Sequence, residues 1–285
     1  MEQTLFTVAF TLYTVSTLLA LAYLYAKDER LTDWMWRLLG IAIFAHVVSS
    51  GLRVHLFWEN PANRYYSPVN TFFGVFSWIA LANSVVFFIV MGVARLHILG
   101  AFVLPWTVIT AGAAMLAAPD AGTLRPDLQS FWMNVHPKIL MTAYVGFVNA
   151  FGVGMALLIQ EKQMKSRKPT AITYRLPAIE DLDRLHERLI LFSWPVLTIG
   201  IILGSVWARK AWGRMWGWDL KETWSALTWI IYGTCLYLHR FQGVRGRRNV
   251  YLSMAGFATI LITVFIVNYF SKQHAYVYTP APPLP

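Results

Sequence analysis

The chain has 285 residues, of which 57% are hydrophobic and only 13% carry a charge. A soluble domain of this length carries roughly twice that charged fraction, so the composition indicates a membrane protein and excludes a large separate soluble domain. The net charge is +10, but the basic residues lie between apolar runs, where membrane insertion retains them, and we expect no nucleic-acid partner.

Apolar runs long enough to cross a bilayer core of about 30 Å recur along the whole chain. The sequence therefore predicts an all-α, polytopic membrane bundle of about eight transmembrane helices, forming a single membrane domain over residues 1–285. The seventh run is short at its apolar core and has the least defined boundaries. The predicted spans cover residues 4–26, 38–58, 70–91, 96–118, 138–160, 189–208, 223–239 and 250–270.

The start of the chain, Met-Glu-Gln, has no basic stretch, so we expect no cleaved signal peptide. His46 falls in the middle of the second span, where a charge is unfavourable, and we expect a neutral, hydrogen-bonded interior residue. The single cysteine, Cys235, lies inside the seventh span. One thiol cannot form an internal disulfide, so the chain alone performs no thiol–disulfide exchange.

The two strongest basic clusters, in 161–188 and 240–248, lie on the same side of the predicted bundle. Because Lys and Arg concentrate in cytoplasmic loops, both clusters are expected inside. Both termini, loop 119–137 and a tryptophan-rich segment at 207–224 are then outside, on the periplasmic face of a multi-pass protein of the cell membrane, inner or plasma. Leu182, Leu185 and Leu189 recur at helical spacing, which predicts an amphipathic surface helix leading into span six.

The external segment 207–224 is the richest in tryptophan. The spacing of its rings mixes steps of four and five with a step of two, so we expect no single helical face to collect them all. An interfacial aromatic belt is the plain explanation, but a belt requires neither the interspersed glycines nor the ionic cluster of Asp219, Lys221 and Glu222 that follows them. Indole rings stack on a large flat ligand, glycines let the backbone approach it, and cationic groups pair with carboxylates. The segment therefore predicts a binding platform, with candidate cofactor-binding residues Trp212, Trp216, Trp218, Asp219 and Trp224.

This segment resembles the tryptophan-rich signature of the cytochrome c assembly protein family, Trp-Ala-x-x-Ala-Trp-Gly-x-Tyr-Trp-x-Trp-Asp-Pro-Lys-Glu-Thr-Trp. The chain departs from it at two positions, with Met215 for the tyrosine and Leu220 for the proline. The Lys-Glu-Thr ending is similar to the CcsA/ResC branch, the haem-handling component of system II cytochrome c maturation. Upstream, the family often carries a glutamate shortly after the asparagine that matches Asn70, and this chain has none there.

Two histidines are predicted on the same outer side as the tryptophan segment. His136 precedes span five and His274 follows span eight, and neutral imidazole is a common axial ligand of haem iron. Two imidazoles flanking an aromatic platform suit a bis-histidine haem site. In the family, the histidines that match His136 and His274 are the external haem ligands, so both are candidate ligands of the haem iron.

The resemblance implies a wider set of roles. A histidine at the inner end of span seven, His239, serves a second haem position in the family, paired with a histidine of a CcsB/ResB-type membrane subunit. We expect no second histidine of this chain at that depth. Membrane helices associate through small residues, and those of spans six and eight are expected to face the partner subunit: Gly200, Gly204, Ser205, Ser253 and Gly256. The resemblance further implies haem b as the transported ligand, apocytochrome c with a Cys-x-x-Cys-His segment as the protein substrate, and thiol-reducing proteins as further partners. The implied function is haem transport and covalent attachment as a subunit of a cytochrome c synthase.

Three alternatives stay open at this point. A system I haem-loading protein is expected to have about six spans rather than eight. A membrane electron-transfer protein with b-type haems is expected to hold histidine pairs on facing helices within the bilayer. A small-molecule transporter typically shows repeated halves and broken helices at the midplane. No residue of the chain resembles an activated nucleophile, and none is assigned as catalytic.

Overall fold

The computed structural model describes residues 1–26, 28–59, 68, 71–93, 96–117, 130–166, 170, 172, 174–267 and 270. Within these residues the regular elements are helical, which confirms the predicted all-α bundle. A π-helical turn, Phe87–Met91, extends α3, a 3₁₀ turn, His97–Leu99, precedes α4, and a second π-helical turn, Ile262–Val267, extends α8. The eight helices of this part of the chain are α1 Glu2–Tyr25, α2 Arg30–Glu59, α3 Phe72–Val86, α4 Gly100–Leu116, α5 Phe131–Ser166, α6 Ile179–Trp212, α7 Leu220–Phe241 and α8 Arg247–Leu261.

Seven helical segments of the described chain are long and apolar enough to cross a membrane, and α7 is not among them. The helix α7 carries charged residues at both ends, with threonine, serine and tyrosine between them. It nevertheless packs between α6 and α8 and buries Thr228, Tyr232 and Cys235. The short apolar core predicted for the seventh span therefore reflects the composition of α7. The helix nevertheless packs within the bundle as the other helices do.

The helices alternate in direction, so their ends gather at two levels. The N-terminus of α1 lies beside the C-terminal end of α2, where Arg53 Nη1 and Glu2 Oε1 are 3.1 Å apart. Phe57 near the end of α2 packs in turn against Trp207 near the end of α6. We call this level the tryptophan end. The opposite level, where α7 ends and α6 and α8 begin, is named the basic end.

Local sequence explains the junction between α6 and α7. The helix α6 ends at Gly213, whose φ of 74° is the left-handed conformation that glycine adopts without a steric cost. Asp219 then caps α7: its Oδ1 accepts from the Glu222 backbone N–H at 2.8 Å. Because Glu222 also reaches back to the amide of Asp219, a capping box fixes the start of α7.

His46 is buried in the interior of the bundle, as predicted. Its Nδ1 lies 3.2 Å from the Tyr13 hydroxyl and its Nε2 lies 2.8 Å from Ser77 Oγ. These contacts join α2 to α1 and α3, and they give both ring nitrogens of this fully buried side chain a polar partner. His46 is therefore a structural residue of the first three helices.

The segment 179–188 is helical, but it is not a separate surface helix. It forms the first turns of α6, which continues to Trp212 without a break. Leu182, Asp183 and His186 within it are buried, because the adjoining ends of α7 and α8 cover this face. The predicted amphipathic helix leading into span six is therefore present, with Leu182 and Leu189 buried and Asp181 and Arg184 exposed. Its placement as a surface helix is wrong, because it is continuous with α6. The polar residues on its inner face are part of the basic end.

Candidate functional site

A partly open cavity lies between α3, α5, α6, α7 and the π-helical turn after α8. Its walls are mostly apolar, with Ile79, Met141 and Val264 among them. Polar groups are few and include Lys221 and Glu222 from the start of α7. Concave, mostly apolar cavities with a few polar groups are typical of small-molecule sites.

His136 lines this cavity and is partly buried. Its Nδ1 lies 2.8 Å from the backbone carbonyl oxygen of Gly200 on α6. A carbonyl oxygen only accepts, so Nδ1 carries the hydrogen and donates it. In the neutral ring this leaves the lone pair on Nε2, the tautomer that binds a metal through Nε2. The structure therefore gives His136 the hydrogen bonding that a metal-ligating histidine commonly has.

The tryptophan segment is divided among three elements. Trp207 and Trp212 belong to the last turns of α6, with ring centroids 4.7 Å apart and nearly perpendicular planes. Trp216 and Trp218 belong to loop 213–219, with centroids 5.6 Å apart. Trp224 belongs to α7. The expectation that no single helical face collects these rings is confirmed.

The structure does not treat the five candidate platform residues alike. Trp216 lines the cavity together with Met215. Trp218 is 72% exposed and has a φ of 58°, a strained conformation for a large aromatic residue. Trp212 and Trp224 are partly buried and outside the cavity lining. Asp219 is the cap of α7. Trp216 is thus the predicted platform residue with direct access to the cavity.

Glu222 holds the loop of Trp216 and Trp218 in place. Its Oε2 accepts from the backbone N–H of Gly217 at 2.6 Å and of Asp219 at 3.2 Å. Two backbone amides of the loop are thus tied to the first turn of α7. Sequence reasoning assigned Glu222 only to an ionic cluster, although the Asp-x-x-Glu spacing of a capping box was present.

The second predicted outer ligand, His274, lies outside the described residues. The last described turn before it, Ile262–Val267, contributes Thr263 and Val264 to the cavity wall. The approach of His274 to His136 stays a prediction.

His239 lies at the opposite, basic end and is only 5% exposed. Its Nε2 is 3.0 Å from Asp183 Oδ2, and its Nδ1 is 3.3 Å from Glu187 Oε1. Arg240 Nε also pairs with Glu187, and Asp183 Oδ1 accepts from the Gly246 N–H at 2.9 Å. Both ring nitrogens therefore face carboxylates, so the predicted role of His239 as an iron ligand would require one of these carboxylates to withdraw.

His186, to which sequence reasoning assigned no role, is fully buried on α6, three residues after Asp183. Its Nε2 lies 3.1 Å from Ser253 Oγ of α8. We expected no second histidine at the depth of His239, and that expectation is wrong. The burial of His186 could not be predicted from the sequence, because it depends on how α6 lies against α7 and α8.

Small residues of α6 and α8 were expected to face a partner subunit, and the structure uses them inside the chain. A Cβ on Gly200 would come 2.5 Å from Leu140 Cδ2, and a Cβ on Gly204 would come 2.5 Å from His136 Cε1. Ser205 lines the cavity, and Ser253 contacts His186. Gly256 faces Tyr232 of α7. That expectation is wrong, because these positions are occupied by close contacts within the bundle.

Comparison with known proteins identifies similar proteins that are named for cytochrome c assembly or biogenesis. The family model described as "Cytochrome C assembly protein" matches residues 66–274. A protein called "Cytochrome c biogenesis protein CcsA" in Guillardia theta is 33% identical over 202 residues, covering 64% of this chain and 67% of the relative. The protein of the same name in Thermosynechococcus vestitus is 28% identical over 251 residues, covering 74% of this chain and 79% of the relative.

A solved structure with a similar fold is "Cytochrome c Heme Lyase CcmF". The TM-score is 0.72 at 18% sequence identity. The match covers 93% of this chain but only 46% of that chain. The helical arrangement described above thus recurs in about half of a larger protein.

Proposed function

The chain belongs to the cytochrome c assembly protein family and acts in cytochrome c biogenesis, and from this premise we propose that it binds haem at the tryptophan end and presents it to apocytochrome c. The ligand is haem b, whose two vinyl groups are the positions to which cysteine thiols add. The activity is that of the haem-binding subunit of a cytochrome c synthase.

The observation that carries the proposal is the hydrogen bonding of His136 and its position in the cavity wall. Its Nδ1 hydrogen bonds the Gly200 carbonyl oxygen at 2.8 Å, and its ring lines the cavity beside Trp216. Such a hydrogen bond on one nitrogen orients an imidazole whose other nitrogen binds a metal. The proposed second ligand is His274, which follows the turn that contributes Thr263 and Val264 to the same cavity.

The cavity walls suit the other parts of a haem molecule. Apolar side chains and the indole of Trp216 suit the macrocycle. The ammonium of Lys221, at the start of α7, suits a propionate. The other predicted platform residues, Trp212, Trp218 and Trp224, are proposed to surround the bound haem outside the cavity wall. Asp219 supports the loop as the cap of α7.

In the proposed reaction each cysteine thiol of the Cys-x-x-Cys-His segment adds across one vinyl group. A sulfur–carbon bond forms at one vinyl carbon, the thiol hydrogen goes to the other, and no electron leaves the pair of reactants. The thiols must therefore be reduced, which is the role of thiol-reducing partner proteins. This chain contributes orientation and an iron ligand.

The chain works with other components of a cytochrome c biogenesis complex, and we propose a CcsB/ResB-type membrane subunit among them. His239 is the proposed ligand for a second haem position, with a histidine of that subunit opposite it. In this chain His239 is held between Asp183 and Glu187. Docking of the partner is the event proposed to withdraw one carboxylate. Co-expression with and without that subunit tests this, since maturation by this chain alone would contradict it.

The protein is a multi-pass membrane protein, and the cell membrane with the tryptophan end outside is the proposed placement. The basic clusters at 161–188 and 240–248 support this orientation. A cysteine placed at position 214, in a Cys235→Ser background, should react with an impermeant maleimide in intact cells. Labelling only after the inner face is exposed would contradict both the orientation and the outer site.

The function is tested by His136→Ala in a host that depends on this chain for a c-type cytochrome reporter. We expect loss of cytochrome c maturation, with partial recovery in added imidazole, because a free ligand occupies the vacated axial position. A matched control is His55→Ala, since His55 is an exposed histidine near the end of α2, beside Glu59. Maturation unchanged in His136→Ala would contradict the proposal.

The rival with permanent b-type haems is disfavoured by the interior histidines. His46 contacts Tyr13 and Ser77, and His186 contacts Ser253. His239 of α7 lies at the same end as His186, but its two nitrogens face Asp183 and Glu187. None of these three buried histidines is therefore hydrogen-bonded to another histidine. The seven helical segments of the described chain that are long and apolar enough to cross a membrane likewise exceed the six spans expected of a system I haem-loading protein.

A further inference from the structure

At the cavity, two residues of α5 contact two glycines of α6, and the two residues on each helix are spaced four apart. His136 and Leu140 lie on one face of α5, and Gly204 and Gly200 lie on one face of α6. The helices run in opposite directions, so His136 faces Gly204 and Leu140 faces Gly200. This is the place where the imidazole of the proposed iron ligand rests directly on the backbone of another helix.

The contact at Gly204 leaves no space for a side chain. A Cβ there would lie 2.5 Å from Cε1, 3.0 Å from Nδ1 and 3.1 Å from Nε2 of His136. Real Cβ atoms do not approach other atoms as closely as 2.5 Å. A methyl group would be accommodated by rotating the imidazole away, because the ring is a side chain and the opposing helix backbone is not.

Rotation of the ring would break its hydrogen bond to α6. The acceptor is the carbonyl oxygen of Gly200, one turn from Gly204, at 2.8 Å from Nδ1. That bond assigns the hydrogen to Nδ1 and the lone pair to Nε2. A partner of this kind on the second nitrogen of a ligating histidine fixes both its tautomer and its orientation.

Resting on the proposed function, we propose that Gly204 and the Gly200 carbonyl form a cradle that orients His136 and selects its Nε2 for haem iron. Both are positioning residues that act through His136. The Gly-x-x-x-Gly spacing of α6 therefore serves ligand geometry in addition to helix packing. Substitution of a metal ligand's hydrogen-bonding partners typically weakens metal affinity by about 10-fold to 100-fold.

The test compares Gly204→Ala with Gly146→Ala in the purified full-length chain. Gly146 of α5 also lies against α6, and a Cβ there would lie 1.9 Å from Ser193 Oγ. It is ten residues from His136, which is about 15 Å along α5. Haem binding is titrated by absorption, and axial ligation is assigned by electron paramagnetic resonance. We expect Gly204→Ala to bind haem roughly 10-fold or more weakly, with added imidazole restoring a low-spin spectrum, and Gly146→Ala to bind as the parent protein does.

The haem-free protein provides a second readout. In ¹⁵N-histidine spectra, assigned with His136→Gly, the parent protein should show His136 protonated at Nδ1. Gly204→Ala should show a mixture of both tautomers, because the Gly200 acceptor is lost. A structural role of Gly204 alone would not move this readout.

The results separate this inference from the proposed function. Unchanged haem binding in His136→Gly would contradict the proposed function itself. Weak binding in His136→Gly together with unchanged binding and tautomer in Gly204→Ala would overturn only the cradle. Loss of haem in Gly204→Ala that imidazole does not restore, or equal loss in Gly146→Ala, would also overturn it.

Discussion

His136 and His239 lie at opposite ends of the bundle and have opposite surroundings. His136 borders a cavity and has one nitrogen on a backbone carbonyl. His239 is buried and has a carboxylate beside each nitrogen, with Arg240 paired to one of them. The imidazole of His136 is thus oriented to bind a metal, whereas the imidazole of His239 is enclosed within an ion cluster. The comparison suggests how the two proposed haem positions differ. This chain alone supplies both iron ligands proposed at the tryptophan end, whereas the position at His239 requires a partner subunit.

The largest expected effect concerns the response of the two ends to imidazole. His239→Ala should abolish maturation as His136→Ala does, but added imidazole should restore only the latter. His239→Ala leaves the buried carboxylates Asp183 and Glu187 without their partner. A free base should enter this buried site less readily than the cavity that His136 lines. The measurement is reporter maturation over an imidazole series. Equal rescue of both variants would break the contrast between the two ends.

At the basic end, the buried ion cluster around His239 should contribute more to stability than an exposed ion pair nearby. Asp183→Asn removes one charge from a buried ion cluster, which we expect to cost about 3 kcal/mol of unfolding free energy. The matched control is Asp181→Asn, because Asp181 pairs with Arg184 at the exposed surface, where an ion pair is worth at most about 1 kcal/mol. Unfolding in mixed micelles with increasing sodium dodecyl sulfate measures both. Similar midpoints for the two variants would show that the cluster does not stabilise the basic end.

A moderate effect is expected from the tryptophans of loop 213–219. Trp216→Ala should weaken haem binding roughly tenfold, since an aromatic contact contributes about 1 kcal/mol or slightly more. Trp218→Ala, at an exposed ring outside the cavity, should weaken it less than about twofold. Absorption titration of both variants makes the comparison. The reverse order of effects would move the platform from the cavity wall to the exposed face of the loop.

The smallest expected effect concerns Glu222. Glu222→Ala loses the acceptor for the Gly217 and Asp219 amides and should cost about 1 kcal/mol of stability. Glu222→Gln keeps an acceptor oxygen at the same place, so it should stay close to the parent protein. Denaturation midpoints compare the two. A larger loss in the glutamine variant would mean that the charge of Glu222, and not its hydrogen bonds, supports the loop.

Hydropathy predicted where the helices lie but not where they end. The predicted span 189–208 became the helix Ile179–Trp212, and 138–160 became Phe131–Ser166. The charged residues beyond each apolar run favour water without breaking a helix, so the backbone continues. At 213–219 the local chemistry is decisive, because Gly213 ends one helix and Asp219 begins the next.

The same limit applies to the candidate sites. Sequence patterns indicated His136 and the tryptophan segment, since each is a local feature of composition and position. The surroundings of His239 were not predictable, because Asp183 is 56 residues away along the chain and meets it only through the register of α6 on α7. The contact of Gly204 with His136 depends on the register of α5 on α6 in the same way. Residue identities therefore suggested the ligands, and tertiary packing determined their environments.

The central claim is that haem binds in the cavity at the tryptophan end with His136 as a ligand. A cryo-electron microscopy map of the haem-loaded full-length protein in a lipid nanodisc tests this most directly. The account predicts density for the macrocycle between α3, α5 and α7, with the iron bound to Nε2 of His136 and Trp216 along the cavity wall. Macrocycle density elsewhere in the bundle, with this cavity empty and the His136 ring turned away from it, would contradict the claim.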